Sequence, residues 1–221
     1  MAGQMVSFQS NGGTADGYLA TPASGKGPGI IVIQEWWGLN DNIKQIADRF
    51  AAEGFAALAP DLYHGKLTKE PDEAQKMLMS LNMPQAAKDM AGAFDYLAAN
   101  DACTGKIGSV GFCMGGGLSL TLATVRPVSA CVMYYGMSDA DVTKLQAPVL
   151  GHFAENDGWV NAQAVGALES KLRSAGKPFE FHTYPGTDHA FFNDTRPEVF
   201  SEPEAKQCWD RTIAFYKQHL A

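Results

Sequence analysis

The chain has 221 residues, 46% of them hydrophobic and 19% charged, which is enough apolar sequence to bury a sizeable core. This composition excludes a disordered chain. The net charge of −7 argues against nucleic acid or an anionic membrane as a partner, because binding to either depends on Lys and Arg.

Motifs for targeting, metals and nucleotides are missing from the sequence. Residues 1–6 show no positive segment followed by an apolar one, and the longest apolar run, 29–33, suits a buried strand. The four cysteines, at positions 103, 113, 131 and 208, form no C-x-x-C pair, and no phosphate-binding glycine motif is present. We therefore expect a cytoplasmic protein without metal or cofactor, as a monomer or weak homodimer.

Strand-like and helix-like segments alternate along most of the chain. An opening hairpin is predicted from strands at 5–8 and 17–20, joined by the turn-rich stretch 10–16. The remaining strands are predicted at 29–34, 55–59, 106–111, 127–135, 148–153 and 178–184, and the helices at 43–50, 70–79, 84–99, 118–123, 161–174 and 201–219. Ser201 and Glu204 predict a capping box at the start of the last helix. The alternation predicts one α/β domain over residues 1–221, with a mostly parallel, twisted sheet of about seven or eight strands, helices on both faces and no large lid.

Residues 110–116, Val-Gly-Phe-Cys-Met-Gly-Gly, have the G-x-C-x-G-G form of a nucleophile elbow. Such an elbow is a sharp turn from a strand into a helix, and it needs small residues two positions before and after the nucleophile because the backbones come close. The usual nucleophile is serine, and here it is Cys113. The rest of the chain should then supply an acid and a histidine, in that order.

Two later strand ends carry that acid and that histidine. Because the carboxyl ends of parallel strands meet at one edge of a sheet, Cys113, Asp157 and His189 are predicted to lie together, in the chain order of the α/β-hydrolases. Glu155 and Asp188 compete with Asp157 for the role of the acid. Asp157 is favoured, and Asp188 is expected to stiffen the turn before the histidine.

Each residue type suits one step of acyl transfer. A cysteine attacks as the thiolate, an imidazole takes its proton and returns it to the leaving group, and the acid orients the imidazole. The oxyanion of the intermediate needs two N–H donors. The backbone amides of Met114, directly after the nucleophile, and of Trp36, after the early strand, are the predicted donors.

The chain resembles the dienelactone hydrolases, or carboxymethylenebutenolidases. The matching stretches are Gln34–Leu39, Ala59–Tyr63, Gly111–Gly116, the loop of Asp157, and Asp188–Phe191. The resemblance implies an α/β-hydrolase fold and hydrolysis of small carboxylic esters or lactones through an acyl-enzyme on Cys113. It also implies that Glu35 pairs with the resting cysteine and helps to activate it. Without the resemblance, the alternative interpretation of Glu35 is a surface acid at the end of a strand.

The residues expected around the substrate are aromatic. Trp36, Tyr63, Trp159 and Phe191 follow strand ends and are predicted to line the pocket, with ordinary core or rim positions as the alternative. Family members that cleave dienelactone use arginines to hold the substrate carboxylate. This chain has only Lys69 and Lys76 in the first such region, and Phe192-Asn193 in the second. We therefore expect small neutral esters or lactones as substrates.

Two other functions compete with ester hydrolysis. A non-catalytic ligand binder or thiol sensor on the same scaffold would explain the missing arginines and an easily oxidised thiolate. The presence of both an acid and a histidine argues against it. Peptidase activity is a weaker alternative, because no sequence feature indicates an extended peptide groove.

Overall fold

The computed structural model describes residues 3–10 and 12–221, and these contain eight strands and six α-helices. The strands are β1 (Gln4–Ser10), β2 (Gly13–Ala20), β3 (Gly27–Ile33), β4 (Ala56–Pro60), β5 (Cys103–Phe112), β6 (Ala130–Tyr134), β7 (Val149–Asn156) and β8 (Phe179–Asp188). The helices are α1 (Asp41–Ala52), α2 (Pro71–Met79), α3 (Met83–Ala98), α4 (Met114–Val125), α5 (Ala162–Ser174) and α6 (Glu202–Leu220). None of the helices in the described residues is long and apolar enough to span a membrane.

The strands of this part of the chain form a sheet in the order β1-β2-β4-β3-β5-β6-β7-β8. The pairs β1–β2 and β2–β4 are antiparallel, whereas β3–β4, β6–β7 and β7–β8 are parallel. The predicted α/β class, with a mostly parallel sheet of seven or eight strands, is therefore confirmed. The chain divides into two compact units, residues 1–109 and 110–221. The expectation of a single domain stays a prediction.

The first unit contains the opening hairpin and the two apolar strands that follow it. The predicted hairpin is present, with β1 and β2 paired from Gln4↔Leu19 to Ser10↔Gly13. The predicted turn over 10–16 was too long, because residues 13–16 belong to β2; Asn11 lies outside the described residues. β4 is wholly buried, and so is nearly all of β3, because their side chains are almost entirely apolar.

Hydrogen bonds within this unit fix the loops at the ends of β3 and β4. The Gln34 side chain, directly after β3, accepts the Leu62 N–H at 3.1 Å. The Asp61 carboxylate, directly after β4, accepts the N–H groups of Tyr63 at 3.0 Å and Gly65 at 2.5 Å. The loops that carry Glu35 and Tyr63 are thus held in place by the side chains of Gln34 and Asp61, which belong to the same stretches of sequence.

The second unit contains the elbow and the two strands that precede the acid and the histidine. β7 and β8 run three and four residues further than predicted, and their parallel pairing reaches Asn156↔Asp188 after an irregularity at Ala154/Asn156. Asp157 and His189 therefore each stand directly after one of two neighbouring strands. α4 begins at Met114, immediately after Cys113, so the helix extends beyond the predicted run of 118–123 at both ends.

The capping box predicted at the start of α6 is wrong. The Ser201 hydroxyl donates to the Glu204 carboxylate at 2.5 Å and makes no hydrogen bond that caps the helix. The Ser201 N–H, which a capping box would give to Glu204, donates instead to the Phe191 carbonyl at 3.0 Å. The backbone of Ser201 therefore connects the loop after His189 to the start of α6.

Candidate active site

Cys113 lies at the tip of the turn between β5 and α4, with φ 56° and ψ −120°. A non-glycine residue rarely adopts this conformation, and strain of this kind gathers at functional sites. The neighbouring glycines explain how the turn fits. A Cβ at Gly111 would collide with the Gly115 carbonyl, and one at Gly117 would collide with the Met137 carbonyl.

The end of β6 lies against this elbow. The Cys113 N–H donates to the Tyr134 carbonyl at 3.1 Å. A Cβ at Gly136 would stand 2.5 Å from the Cys113 carbonyl oxygen, so only glycine fits there. Tyr135, between Tyr134 and Gly136 in the chain, has a φ of 38°. This segment was not among the predicted site residues, although the Tyr-Tyr-Gly run that closes a buried strand was a signal for it in the sequence.

His189 and Asp157 form a hydrogen-bonded pair in the second unit. The imidazole Nδ1 lies 2.6 Å from Asp157 Oδ2, and Asp157 Oδ1 accepts the N–H groups of Trp159 and Val160 at 2.8 and 2.9 Å. Burial raises the pKa of Asp157, but the hydrogen bonds from His189 and the two amides outweigh it, so the net pKa is lowered. Asp157 is therefore a carboxylate at neutral pH.

Packing holds the Asp157 loop in place behind the carboxylate. Val160 is buried in a cluster with Phe153 of β7 and Val165 of α5. Since Val160 also donates its N–H to Asp157, this apolar contact fixes the carboxylate as well as the loop.

The other two acids considered from the sequence do not pair with His189. The Glu155 carboxylate accepts the Gly186 N–H at 2.8 Å and so ties β7 to the turn that precedes the histidine. Asp188 ends β8, and its carbonyl accepts the Phe191 N–H at 3.2 Å. Of these three acids, Asp157 is the one whose contacts suit an orienting acid.

The second nitrogen of His189 is set up as a proton acceptor. With Nδ1 donating to Asp157, Nε2 carries the lone pair of a neutral imidazole. Nε2 is buried and has no hydrogen-bond partner among residues 3–10 and 12–221. The rings of Tyr135 and Trp159 flank the imidazole, with centroids 5.1 and 5.5 Å away.

The remaining predicted site residues have contrasting environments. Trp159 is 59% exposed beside His189, which suits a pocket rim. Phe191 is 0% exposed and packs against Tyr135 and Tyr184, so it supports the site from the core and does not line a pocket. Met114, a predicted oxyanion donor, is the first residue of α4.

Three predicted residues belong to the first unit. Glu35 is 3% exposed, so the alternative of a surface acid is wrong. Trp36 follows it, half-buried, with its ring 5.1 Å from that of Trp37, and Tyr63 is buried after β4. Their roles toward Cys113 stay predictions.

The comparisons with known proteins cover almost the whole chain. Residues 15–220 match the model of the dienelactone hydrolase family. Protein usf of Aquifex pyrophilus is 39% identical over 99% of both chains, and an Aquifex aeolicus protein named "Putative carboxymethylenebutenolidase" is 32% identical over 99% of both.

A solved structure agrees with these relatives. A Klebsiella pneumoniae protein described as "Putative Dienelactone Hydrolase" superposes with a TM-score of 0.89 at 28% identity, over 98% of each chain. The strained cysteine, the Asp157–His189 pair and these matches lead to one conclusion: the chain belongs to the dienelactone hydrolase family and is a carboxymethylenebutenolidase-like hydrolase.

Proposed function

We propose that the protein hydrolyses small, neutral carboxylic esters or lactones through an acyl-enzyme on Cys113. His189 is the base and Asp157 is the acid that orients it. The observation that carries the proposal is the His189–Asp157 pair at 2.6 Å, with the opposite imidazole nitrogen unpartnered in the described chain and a strained cysteine on the same unit. Membership of the dienelactone hydrolase family supports it.

The first half of the reaction forms a thioester. His189 Nε2 takes the proton of Cys113 Sγ, and the thiolate attacks the substrate carbonyl to form a C–S bond and an oxyanion. When the tetrahedral intermediate collapses, the C–O bond of the ester breaks. The imidazolium gives its proton to the departing alkoxide, which in a lactone stays attached to the acyl group.

The second half regenerates the thiol. Nε2 takes a proton from water, and the hydroxide attacks the thioester carbonyl to form a second tetrahedral intermediate. When this intermediate collapses, the C–S bond breaks, the carboxylic acid forms, and the imidazolium returns its proton to the departing Cys113 thiolate. Asp157 holds the imidazole in one tautomer in both halves and stabilises the imidazolium. The Met114 N–H, at the first position of α4, is the donor we assign to the oxyanion, while the roles of Trp36 and Glu35 are carried by the family resemblance.

The substrate class follows from the surface beside His189. Trp159 presents an exposed indole there, which suits an apolar acyl or alcohol group. At the two positions where the family's arginine is expected after the histidine, Phe192 and Asn193 are uncharged and buried, and the Asn193 side chain accepts from Thr195. Arg196, further along the loop, is paired with Glu198 at 2.8 Å. We therefore propose neutral substrates over dianionic lactones. A panel of both on the same enzyme measures this as a ratio of kcat/KM.

The decisive test is Cys113→Ala, assayed with p-nitrophenyl acetate and with neutral lactones. We expect a loss of roughly 10³-fold or more, since removing the nucleophile of a triad leaves only binding and oxyanion stabilisation. Cys103→Ala, which removes a partly exposed thiol of the first unit, is the matched control and should keep wild-type rates. Mass spectrometry of quenched wild-type enzyme should show the acyl group on Cys113.

Two outcomes would overturn the proposal. One is a Cys113→Ala variant as active as the control, and the other is a wild-type enzyme that turns over no ester or lactone above background. Rapid alkylation of Cys113 without any acyl-enzyme would instead favour the thiol sensor.

A further inference from the structure

The end of β6 contacts both the proposed nucleophile and the proposed base. The Tyr134 carbonyl accepts the Cys113 N–H, and the ring of the next residue, Tyr135, lies edge-on to His189. The Tyr135 N–H in turn donates to the His152 carbonyl of β7 at 2.7 Å. Whatever fixes this strand end therefore acts both on the backbone of Cys113 and on the ring of His189.

A buried chain of hydrogen bonds holds Tyr134 by its hydroxyl. Tyr134 Oη lies 2.7 Å from Thr212 Oγ1, which lies 3.1 Å from His152 Nε2. His152 Nδ1 lies 2.9 Å from Tyr184 Oη, to which Arg211 Nη1 donates at 2.8 Å. This Tyr134 network, consisting of Tyr134, Thr212, His152, Tyr184 and Arg211, connects β6, β7, β8 and α6.

The network is satisfied without a buried charge on His152. Burial, and then the Coulombic effects of His182 and Arg211, hold the pKa of His152 well below its ordinary value. A neutral imidazole donates through one nitrogen and accepts at the other, which matches one hydroxyl on each side. Tyr134, His152 and Thr212 are each at most 1% exposed, so water does not compete for these bonds.

Stability alone does not account for so polar a core. Apolar side chains of the same volume would avoid the desolvation of two phenols, a hydroxyl and an imidazole. A fully satisfied polar network instead permits few arrangements of the elements that it joins. Here those elements include the strand end that receives the Cys113 N–H.

We propose that Thr212 and His152 are positioning residues for Cys113, and that they act through Tyr134. The hydrogen bond with the Thr212 hydroxyl holds the Tyr134 side chain against α6. The Tyr134 carbonyl, which accepts the Cys113 N–H, then fixes the position of the Cys113 backbone. This inference rests on the proposed function, because positioning has a catalytic effect only if Cys113 is the nucleophile.

The test compares three substitutions on α6. Thr212→Val keeps the shape of the side chain and removes its hydroxyl. We expect kcat for p-nitrophenyl acetate to fall roughly 10- to 100-fold with KM nearly unchanged, since a misplacement of about 1 Å has an effect of that size. Thr212→Ser should restore the rate. Ile213→Val, which removes a buried methyl from the next residue, should keep it.

A second readout needs no ester. The rate of Cys113 alkylation by iodoacetamide, followed by peptide mass spectrometry from pH 5 to 9, should fall and change its pH profile in Thr212→Val but not in the other two variants. If Thr212→Val fails to fold, Tyr134→Phe takes its place in both measurements. A wild type without ester turnover would refute the proposed function, while the alkylation comparison would still decide the positioning.

The positioning proposal is overturned by either of two results. One is a Thr212→Val enzyme whose kcat and alkylation profile equal those of the wild type. The other is an equal loss in Thr212→Val and Ile213→Val, because destabilisation of α6 would then explain both.

Discussion

Cys113 occupies a backbone conformation that costs about 1–3 kcal/mol for a residue with a side chain. The surroundings hold it there: its N–H donates to Tyr134, and its carbonyl accepts the Gly116 N–H at 3.0 Å. Asp157 is held as firmly, by two amides and an imidazole. The residues of the proposed chemistry are therefore arranged before a substrate arrives.

At this scale we predict that Asp157→Asn lowers kcat by roughly 10³- to 10⁴-fold, because the neutral amide favours the wrong histidine tautomer and cannot stabilise the imidazolium. The amide oxygen can still accept from Trp159 and Val160, so the melting temperature should change little. Asp188→Asn, the neighbouring acid, is the control for both measurements. Equal rates in the two variants would show that Asp157 is not the orienting acid.

At the scale of elements, the junction of β5, α4 and the loop after β6 depends on backbones that touch. Gly117 is the clearest case, because a Cβ there would overlap the Met137 carbonyl. Gly166 in α5 is the opposite case, since a Cβ there would meet nothing within 4 Å. Substitutions at Gly117 and Gly166 can therefore distinguish the effect of close packing from that of helix propensity.

We expect Gly117→Ala to lower both kcat and the melting temperature, because α4 must shift away from the loop and take the elbow with it. A core overlap of this kind typically costs about 1–3 kcal/mol. Gly166→Ala should instead raise stability by about 0.5–1 kcal/mol, the helix preference for alanine over glycine. Thermal unfolding and p-nitrophenyl acetate turnover measure both, and an unchanged Gly117→Ala enzyme would contradict the packing argument.

The same elements show which parts of the site can be predicted from sequence. The elbow glycines and the Asp157 and His189 loops are local patterns, so their positions were predictable without a structure. The capping box at Ser201 was wrong because the Phe191 carbonyl, ten residues away, competes for the same N–H. The Tyr134 network was missed because its members are up to 78 positions apart and no spacing rule joins them.

At the scale of the whole molecule, His152 ties stability to pH. Burial, and then the Coulombic effects of His182 on β8 and Arg211 on α6, lower its pKa in the folded chain. The other groups that face it are Tyr134, Tyr184 and Thr212. Its folded pKa lies below the unfolded value of about 6.5. Between the two values the unfolded chain binds the extra proton, so stability is present above the unfolded pKa and is lost as the pH falls.

We therefore predict that the free energy of unfolding falls below pH 6.5, with a contribution from His152 of up to about 1.4 kcal/mol per pH unit. Urea unfolding at pH 5.0, 5.5, 6.0, 6.5 and 7.5 measures the slope. His152→Gln should remove this contribution, and His219→Gln near the chain's end is the control. An equal slope in His152→Gln and the wild type would mean that other groups cause the acid sensitivity.

β8 is the last strand in the order of the sheet, and it is the strand that leads to His189. A terminal strand offers its backbone N–H and C=O groups to any chain that can pair with it, which is a route to aggregation. His182 and Glu180, whose side chains lie 2.6 Å apart on one face of β8, give this terminal strand polar and charged side chains. The strand that leads to the proposed catalytic base is thus also an edge strand of the sheet. Substitutions made in β8 to alter catalysis will therefore also change how readily this edge pairs with another chain.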